Sequence, residues 1–380
     1  MSTYLDWAAT ALPDETIYRE ALEASLNHPG NPSAQHSMGA EAKEQLEEDR
    51  KRCAARLGCP AERLFFTSGG SESNNIVLLS RLNDRKPGQI IISSLEHASL
   101  SEPVELLKKQ GHKIKILTPD ERGIIPPQKL ARALNEETRL VSLIAVHNET
   151  GVRQPIKELV AELRAFEQRE GVRTIQFHSD MVQAPGKMTL NLEELGVDSA
   201  SFSAHKIRGP KQSGLLYLKK DMAVFYRGGG QERGIRPGTE SLFNSRSMAL
   251  SLEKWGSEAW KGETAELLLK ELSQIKGLLL NPAARLTEQE LYAPAIVNFS
   301  LAPLPGEVLQ RVLNEQGFCI STGSACSSNK KSQTGGLISM GIDKSRAHCS
   351  VRVSLGPATT KEEILSFIDC LKGIQSQYAF

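Results

Sequence analysis

The 380-residue chain has almost no net charge, few cysteines and no long apolar run. Its 46 Lys and Arg residues nearly balance 45 Asp and Glu residues, which leaves a formal net charge of +1. No global field therefore attracts the chain to nucleic acid or to an anionic membrane, and such a role would need a local basic patch. We expect neither partner.

The apolar runs are also too short for a membrane protein. Residues 140–146 form one of the longest, far below the roughly 20 residues that cross a bilayer. Residues 1–14 carry acidic side chains and no continuous apolar segment of a secretory signal. We therefore expect a cytoplasmic protein.

The six cysteines form no C-x-x-C pair and no spacing typical of a zinc site, so we expect free thiols and no bound metal. Cys326 lies among the small residues 321–328, which indicates an accessible thiol rather than a core residue. Cys53 and Cys370 lie on apolar helix stripes and are assigned no role. The pattern leaves three others undecided: Cys59, Cys319 and Cys349.

Apolar runs rich in Val, Ile and Phe alternate with helical patterns from residue 63 to residue 218, which is typical of an α/β domain with a mostly parallel sheet. Helices are predicted at 127–134, 156–170 and 244–260. Seven strands are predicted, at 63–67, 89–93, 113–117, 139–146, 173–177, 200–203 and 214–218.

Beyond the helix at 244–260, the pattern becomes helix, strand, helix, strand and a final helix near 361–372. This order predicts a second, smaller α+β domain. The predicted division assigns residues 14–252 to a large domain, and residues 1–13 and 253–380 to a small one.

A run of small residues, 68–73, follows the first predicted strand and precedes a helix. Backbone N–H groups at such a helix start can bind a phosphate. Taken alone the pattern is weak, because Gly-Gly-Ser is also an ordinary turn with a serine cap.

Lys206 follows the predicted strand 200–203. Burial there would lower the pKa of the lysine and leave a nucleophilic amine that can form a Schiff base. The alternative is an exposed lysine in the basic turn 206–211.

Other polar residues follow predicted strands at the same sheet edge: His97, Asn148, Asp180 and Gln183. Ligands of doubly wound sheets bind at the carboxyl ends of the strands, and a pyridinium nitrogen needs a carboxylate partner such as Asp180. Together these residues fit one flat, anionic, aromatic cofactor.

Arg352 lies in an alternating strand, 350–355, and offers a bidentate grip on a substrate carboxylate. The alternative is a salt bridge to a neighbouring acid.

These motifs together resemble the cysteine desulfurases of the NifS/IscS type, which belong to the class V branch of the fold-type-I pyridoxal-phosphate enzymes. The similarity runs from residue 4 to residue 356. The most specific blocks are 30–33 with His36, 67–74, 147–151, 203–206, 236–240 and 323–326.

The resemblance implies roles for individual residues around pyridoxal 5′-phosphate (PLP). Lys206 would form the Schiff base, His97 would stack on the ring, Asp180 would bind the ring nitrogen and Gln183 the ring hydroxyl. Cys326, in a loop of the small domain, would take the sulfur.

The phosphate-binding residues would be Gly70, Ser71, Ser203 and His205, with Thr239 from the second subunit of a homodimer. The substrate carboxylate would be held by Asn148 and Arg352, assisted by Asn31.

The implied reaction removes sulfur from L-cysteine and gives L-alanine and a persulfide on Cys326. A sulfur-acceptor protein, such as an iron–sulfur scaffold or a tRNA-thiolation protein, would receive the sulfur. A selenocysteine lyase or C–S lyase with the same cofactor stays an alternative. A catalytically quiet sulfur-relay subunit is another, although the presence of Lys206, Asp180 and Cys326 argues against it.

Some positions depart from the common pattern of the family, among them Ser179, which stands where valine is usual. Ser71 replaces a threonine and keeps the hydroxyl. Met181 follows Asp180 where alanine is usual, and residues 212–213 stand where glycine is common. The Met181 change bears on substrate preference rather than on the class of reaction.

Overall fold

The computed structural model describes residues 2–172, 175–257, 262–322 and 335–378. The strands are β1 Thr3–Tyr4, β2 Leu64–Thr67, β3 Gln89–Ser93, β4 Lys113–Leu117, β5 Thr138–Ser142, β6 Gln176–Asp180, β7 Ser199–Ser203, β8 Gly214–Leu218, β9 Leu278–Leu280, β10 Ile296–Leu301, β11 Phe318–Cys319 and β12 Ser350–Ser354. The α-helices are α1 Glu15–Asn27, α2 Ser37–Leu57, α3 Gly70–Leu79, α4 Ala98–Ser101, α5 Pro103–Lys109, α6 Pro127–Ala133, α7 Ile156–Glu170, α8 Leu192–Leu195, α9 Leu242–Trp255, α10 Glu263–Ser273, α11 Gly306–Glu315, α12 Gly335–Ser339, α13 Lys344–His348 and α14 Lys361–Tyr378.

Seven strands form one sheet in the order β2-β8-β7-β6-β5-β3-β4. The four neighbouring pairs from β7 to β4 are parallel. The two pairs that involve β8 are antiparallel. The predicted mostly parallel seven-stranded sheet is therefore confirmed.

Two strand predictions need correction. β5 ends at Ser142 rather than at residue 146, although Leu143 and Ala145 still donate backbone hydrogen bonds to the β6 segment. β6 covers Gln176–Asp180 rather than 173–177. Its last three residues are polar, so hydropathy did not reveal them, and their side chains find hydrogen-bond partners inside the protein.

Helix α7 shows how local sequence sets the helix bounds. It begins directly after Pro155 and ends at Gly171, whose φ of 62° lies in the left-handed region that favours glycine. Its buried residues recur at helical spacing and pack on the sheet: Ile156, Leu159, Val160, Leu163 and Phe166. The predicted helix is confirmed with the same bounds. Helix α9, predicted at 244–260, instead ends at Trp255, and residues 258–260 lie outside the described part.

The rest of the chain builds two smaller sheets. β12, β10 and β9 form an antiparallel sheet, and β1 pairs in parallel with β11. Leu5 and Trp7 are buried in the same apolar cluster as residues of α10, α11 and α14. This cluster is separate from the one under the large sheet, which supports the predicted assignment of residues 1–13 to the small domain. The division itself stays a prediction.

Within the described ranges, no helix combines the length and apolar character that crossing a membrane requires.

Candidate active site

A cavity of about 230 Å³ lies at the carboxyl edge of the large sheet, where β3, β6 and β7 end. Residues far apart in the sequence converge on it. Ten predicted site residues line this cavity: Gly70, Ser71, His97, Asn148, Asp180, Gln183, Ser203, His205, Lys206 and Arg352.

One wall of the cavity is the start of helix α3. Its N-cap residue, Gly69, makes no side-chain capping bond, so the backbone N–H groups of the first helical turn have no partner from a cap. A Cβ atom on Gly70 would lie 2.3 Å from Val182 Cγ2, so only glycine fits. With the hydroxyls of Ser71 and Ser203 at the cavity wall, this geometry suits an anion such as phosphate.

Asp180, at the end of β6, is 3% exposed and is held by hydrogen bonds rather than by a basic residue. Its Oδ2 accepts from Asn74 Nδ2 at 2.8 Å, and its Oδ1 accepts from the backbone N–H of Val182 at 3.0 Å. The described residues place no Lys or Arg within ion-pair distance of this carboxylate. Asp180 can therefore accept a further charged N–H donor from a ligand.

Asn74 also orients His97 and His178. Its Nδ2 donates to Ser99 Oγ at 2.8 Å, and Ser99 Oγ lies 2.9 Å from His97 Nδ1. On the other side, Asn74 Oδ1 lies 3.0 Å from His178 Nε2. Burial lowers the pKa of His178 to about 3, so its ring is neutral at pH 7. Sequence reasoning gave Asn74 no role, although it ends the 67–74 block.

Lys206 lies one short turn after β7, and its Nζ donates to the backbone oxygens of Ala8 and Ala9, each at 2.8 Å. Gln183 Nε2 donates to the same Ala8 oxygen at 2.8 Å. Gln183 Oε1 is buried and has no hydrogen-bond partner in the part of the chain that the structure describes. The N-terminal segment therefore forms a wall of the cavity, which the sequence did not indicate.

Two nitrogen groups close to Lys206 have lowered pKa values. His205 Nδ1 lies 3.2 Å from Thr10 Oγ1, and burial, with the charge of Lys206, lowers the pKa of its ring to about 3. Lys187 is 3% exposed, and burial followed by the charge of Lys206 lowers its pKa to about 7. An anionic ligand would relieve the repulsion among these nitrogens.

Glu96 joins the ends of β3 and β5 beside the cavity. Its Oε1 accepts from Ser93 Oγ at 2.7 Å and from the backbone N–H of Ile144 at 2.9 Å. Its Oε2 is buried without a partner among the described residues. Burial, with a smaller contribution from the charge of Asp180, raises the pKa of Glu96 to about 8. Glu96 is therefore a neutral acid at pH 7.

Arg352, on β12, is 2% exposed and reaches the cavity from the small sheet. Its Nη2 donates to Asp6 Oδ1 at 2.6 Å, and its Nη1 donates to the backbone oxygen of Asn148 at 2.9 Å. The sequence left two alternatives for Arg352, a salt bridge and a substrate contact. Arg352 forms the salt bridge and also lines the cavity, so the two alternatives are compatible.

Two predicted site residues do not line the cavity, and a third belongs to the part of the chain that the structure does not describe. Asn31 is exposed, and its Oδ1 accepts from the backbone N–H of Ser33 at 2.9 Å. Thr239 is also exposed. Cys326 lies outside the described residues. The roles of all three stay predictions.

Residues 3–367 match the family model of the class V aminotransferases. The cysteine desulfurase IscS of Dictyoglomus turgidum is 35% identical to the chain over 382 residues, which covers 98% of this chain and 94% of that protein. A solved NifS-like protein matches with a TM-score of 0.88 and 31% identity, covering 99% of this chain and 100% of that one. A structure of SspA in complex with cysteine matches with a TM-score of 0.80 and 27% identity, covering 94% of this chain and 100% of that one. The chain therefore belongs to the class V aminotransferase family, and the predicted family and fold class are confirmed.

Proposed function

We propose that the chain is a PLP-dependent cysteine desulfurase, which converts L-cysteine to L-alanine and passes the sulfur to an acceptor. One observation carries the proposal: a single cavity combines an anion-binding helix start, a carboxylate that forms no ion pair with any described residue, a lysine amine and a buried arginine. The names of the relatives support the same activity.

The residues present fit PLP. Gly70 lets the start of α3 pack directly against Val182, where a Cβ would collide, and the backbone N–H groups of this helix start can bind a phosphate. The unpartnered Gln183 Oε1 offers an acceptor for the ring hydroxyl, and Asp180 offers a carboxylate for the ring nitrogen. His97 would lie against the ring. When bound, PLP supplies an electron-withdrawing ring that stabilises negative charge on the α-carbon of the substrate.

Lys206 would anchor the cofactor covalently through Nζ. In the present structure two backbone oxygens hold this nitrogen at the cavity wall. Once the substrate amine frees it, the same Nζ would accept the α-proton of the substrate. Arg352 and Asn148 would hold the substrate carboxylate and so orient the α-carbon towards Lys206.

The sulfur transfer would use Cys326 as nucleophile, a role that rests on the resemblance of the 323–326 block. The Cys326 thiolate would attack the substrate sulfur and form an S–S bond, while the Cβ–S bond of the substrate breaks. The electron pair of the broken bond would stay with the carbon skeleton, which takes up protons to become L-alanine. The sulfur would remain on Cys326 as a persulfide.

The partners belong to the same proposal. Thr239 would reach the phosphate site of a second subunit in a homodimer, which agrees with its exposure and with its not lining the cavity of its own chain. A sulfur-acceptor protein, such as an iron–sulfur scaffold, would remove the persulfide in the cytoplasm.

The proposal is tested by incubating the purified, PLP-loaded protein with L-cysteine and a reductant, and by measuring sulfide and alanine in the same sample. A cysteine desulfurase gives equal amounts of the two products. Pyruvate in place of alanine would point to a C–S lyase, and turnover of selenocysteine but not of cysteine would point to a selenocysteine lyase. Absence of both cofactor binding and turnover would favour a quiet sulfur-relay subunit.

A further inference from the structure

The guanidinium of Arg352 has an acidic neighbour that the proposed reaction does not use. Asp6 Oδ1 lies 2.6 Å from Arg352 Nη2, and Asp6 is the one carboxylate that the described ranges place within ion-pair distance of this arginine. Arg352 Nε is buried and has no partner there. The guanidinium is thus paired with Asp6, and Arg352 also lines the cavity in which a substrate carboxylate would bind.

Asp6 is fixed by its backbone rather than by a ligand. Ser354, two residues after Arg352 on β12, donates its backbone N–H to the Leu5 oxygen at 2.8 Å. Its hydroxyl oxygen accepts from the backbone N–H of Ala8 at 2.9 Å, and Asp6 itself forms a parallel bridge with Ser354. These backbone contacts hold Asp6 beside Arg352 without help from a ligand.

The pairing has two opposite consequences for electrostatics. A buried arginine without a counter-charge is costly, so Asp6 stabilises the guanidinium while the cavity holds no substrate. A substrate carboxylate that binds the same guanidinium adds a second negative charge close to Asp6, and like charges at short range in a buried site repel strongly. The same repulsion acts on any product that keeps the carboxylate.

We propose that Asp6 is the resident counter-ion of Arg352 and limits the affinity of the cavity for the carboxylate of its amino-acid substrate and product. Asp6 is in this sense a specificity-tuning residue that acts through Arg352. The inference deepens the proposed function, since it rests on an amino acid as substrate. It explains why a buried arginine can receive a carboxylate and then release alanine, which carries the same group.

The test compares two ligands that differ only in the carboxylate, L-alanine and L-alaninamide. Each is titrated calorimetrically into the PLP-loaded wild type and into Asp6→Asn, which keeps an acceptor oxygen for Arg352 and removes the charge. Alanine should bind the variant about fivefold more tightly or better, because the repulsion is gone, whereas the affinity for alaninamide should not change. Asp6→Ser serves the same purpose should Asp6→Asn not accumulate as folded protein.

Asp14→Asn is the matched control. Asp14 does not line the cavity, and its Oδ2 lies 2.8 Å from Lys254 Nζ. Asn is also an equally good helix N-cap. It should alter neither affinity. Unchanged or weaker binding of alanine by the Asp6 variant, or an equal change for both ligands, would overturn the proposal. Failure of the wild type to make alanine from cysteine would instead refute the proposed function. The affinities of the wild type and the Asp6 variant for alanine and alaninamide could still be compared.

Discussion

The substitution Glu96→Gln should stabilise the protein, and increasingly so as the pH rises. Glutamine has the shape of a protonated glutamate, so its Oε1 can still accept from Ser93 and Ile144. Unlike Glu96, it cannot ionise. The variant therefore removes the cost of burying a carboxylate and leaves the junction between β3 and β5 in place.

The magnitude follows from the pKa of Glu96, which burial raises from 4.5 to about 8. Because the folded-state pKa is the higher one, stability is greatest below pH 4.5 and falls as the pH rises towards 8, where the loss is complete. A difference of about 3.5 pKa units at 1.36 kcal/mol each corresponds to a loss on the order of 5 kcal/mol. Glutamine at this position has no such loss.

The assay is urea unfolding of both proteins at about pH 5, 7 and 9. The free energy of unfolding of Glu96→Gln minus that of the wild type should grow by several kcal/mol across this series. The exposed Glu290 provides a control, since Glu290→Gln should show no such trend. A difference between Glu96→Gln and wild type that stays the same at all three pH values would refute the neutral state of Glu96.

Three further substitutions test the cavity. Lys206→Ala should abolish alanine formation while the circular dichroism spectrum stays unchanged, because one amine anchors the cofactor and accepts the proton; turnover at the wild-type rate would remove Lys206 from the mechanism. Gly70→Ala should weaken PLP binding at least about tenfold, measured by equilibrium dialysis, because its Cβ would lie 2.3 Å from Val182 Cγ2. Gly373→Ala, with nothing within 4 Å of the new Cβ, should bind PLP normally, and equal affinities in the two variants would contradict the phosphate assignment. Arg352→Lys should raise the KM for cysteine about 10- to 150-fold, the equivalent of about 1.5–3 kcal/mol of charge-assisted hydrogen bonding, and an unchanged KM would leave Arg352 a structural ion pair.

The parts of the fold that follow from local patterns could be predicted from the sequence. Strands such as β3 and β8 are short apolar runs between turn residues, and helix α7 lies between Pro155 and Gly171. The end of β6 was missed because its residues are polar, and a polar strand end has no hydropathy signal. Such a strand becomes visible only when its hydrogen-bond partners are known.

The sequence likewise reveals some residues of the candidate site and not others. Residues that follow a predicted strand or begin a helix, such as Asp180 and Gly70, could be found from their position in the pattern. Contacts across the fold could not, because they join residues remote in sequence: Asn74 meets Asp180 106 positions away, and Asp6 meets Arg352 346 positions away. No periodicity encodes such a pairing, since it depends on how the N-terminal segment packs against β12.

The most direct test of the central claim follows the sulfur atom. The PLP-loaded protein is mixed with L-cysteine without reductant, digested with trypsin and analysed by mass spectrometry, while alanine is measured in the same sample. The account predicts that the peptide containing Cys326 gains the mass of one sulfur atom, that alanine forms in equal amount, and that Cys326→Ser abolishes both. Alanine and sulfide formation by Cys326→Ser at the wild-type rate, or sulfur on a different cysteine, would contradict it.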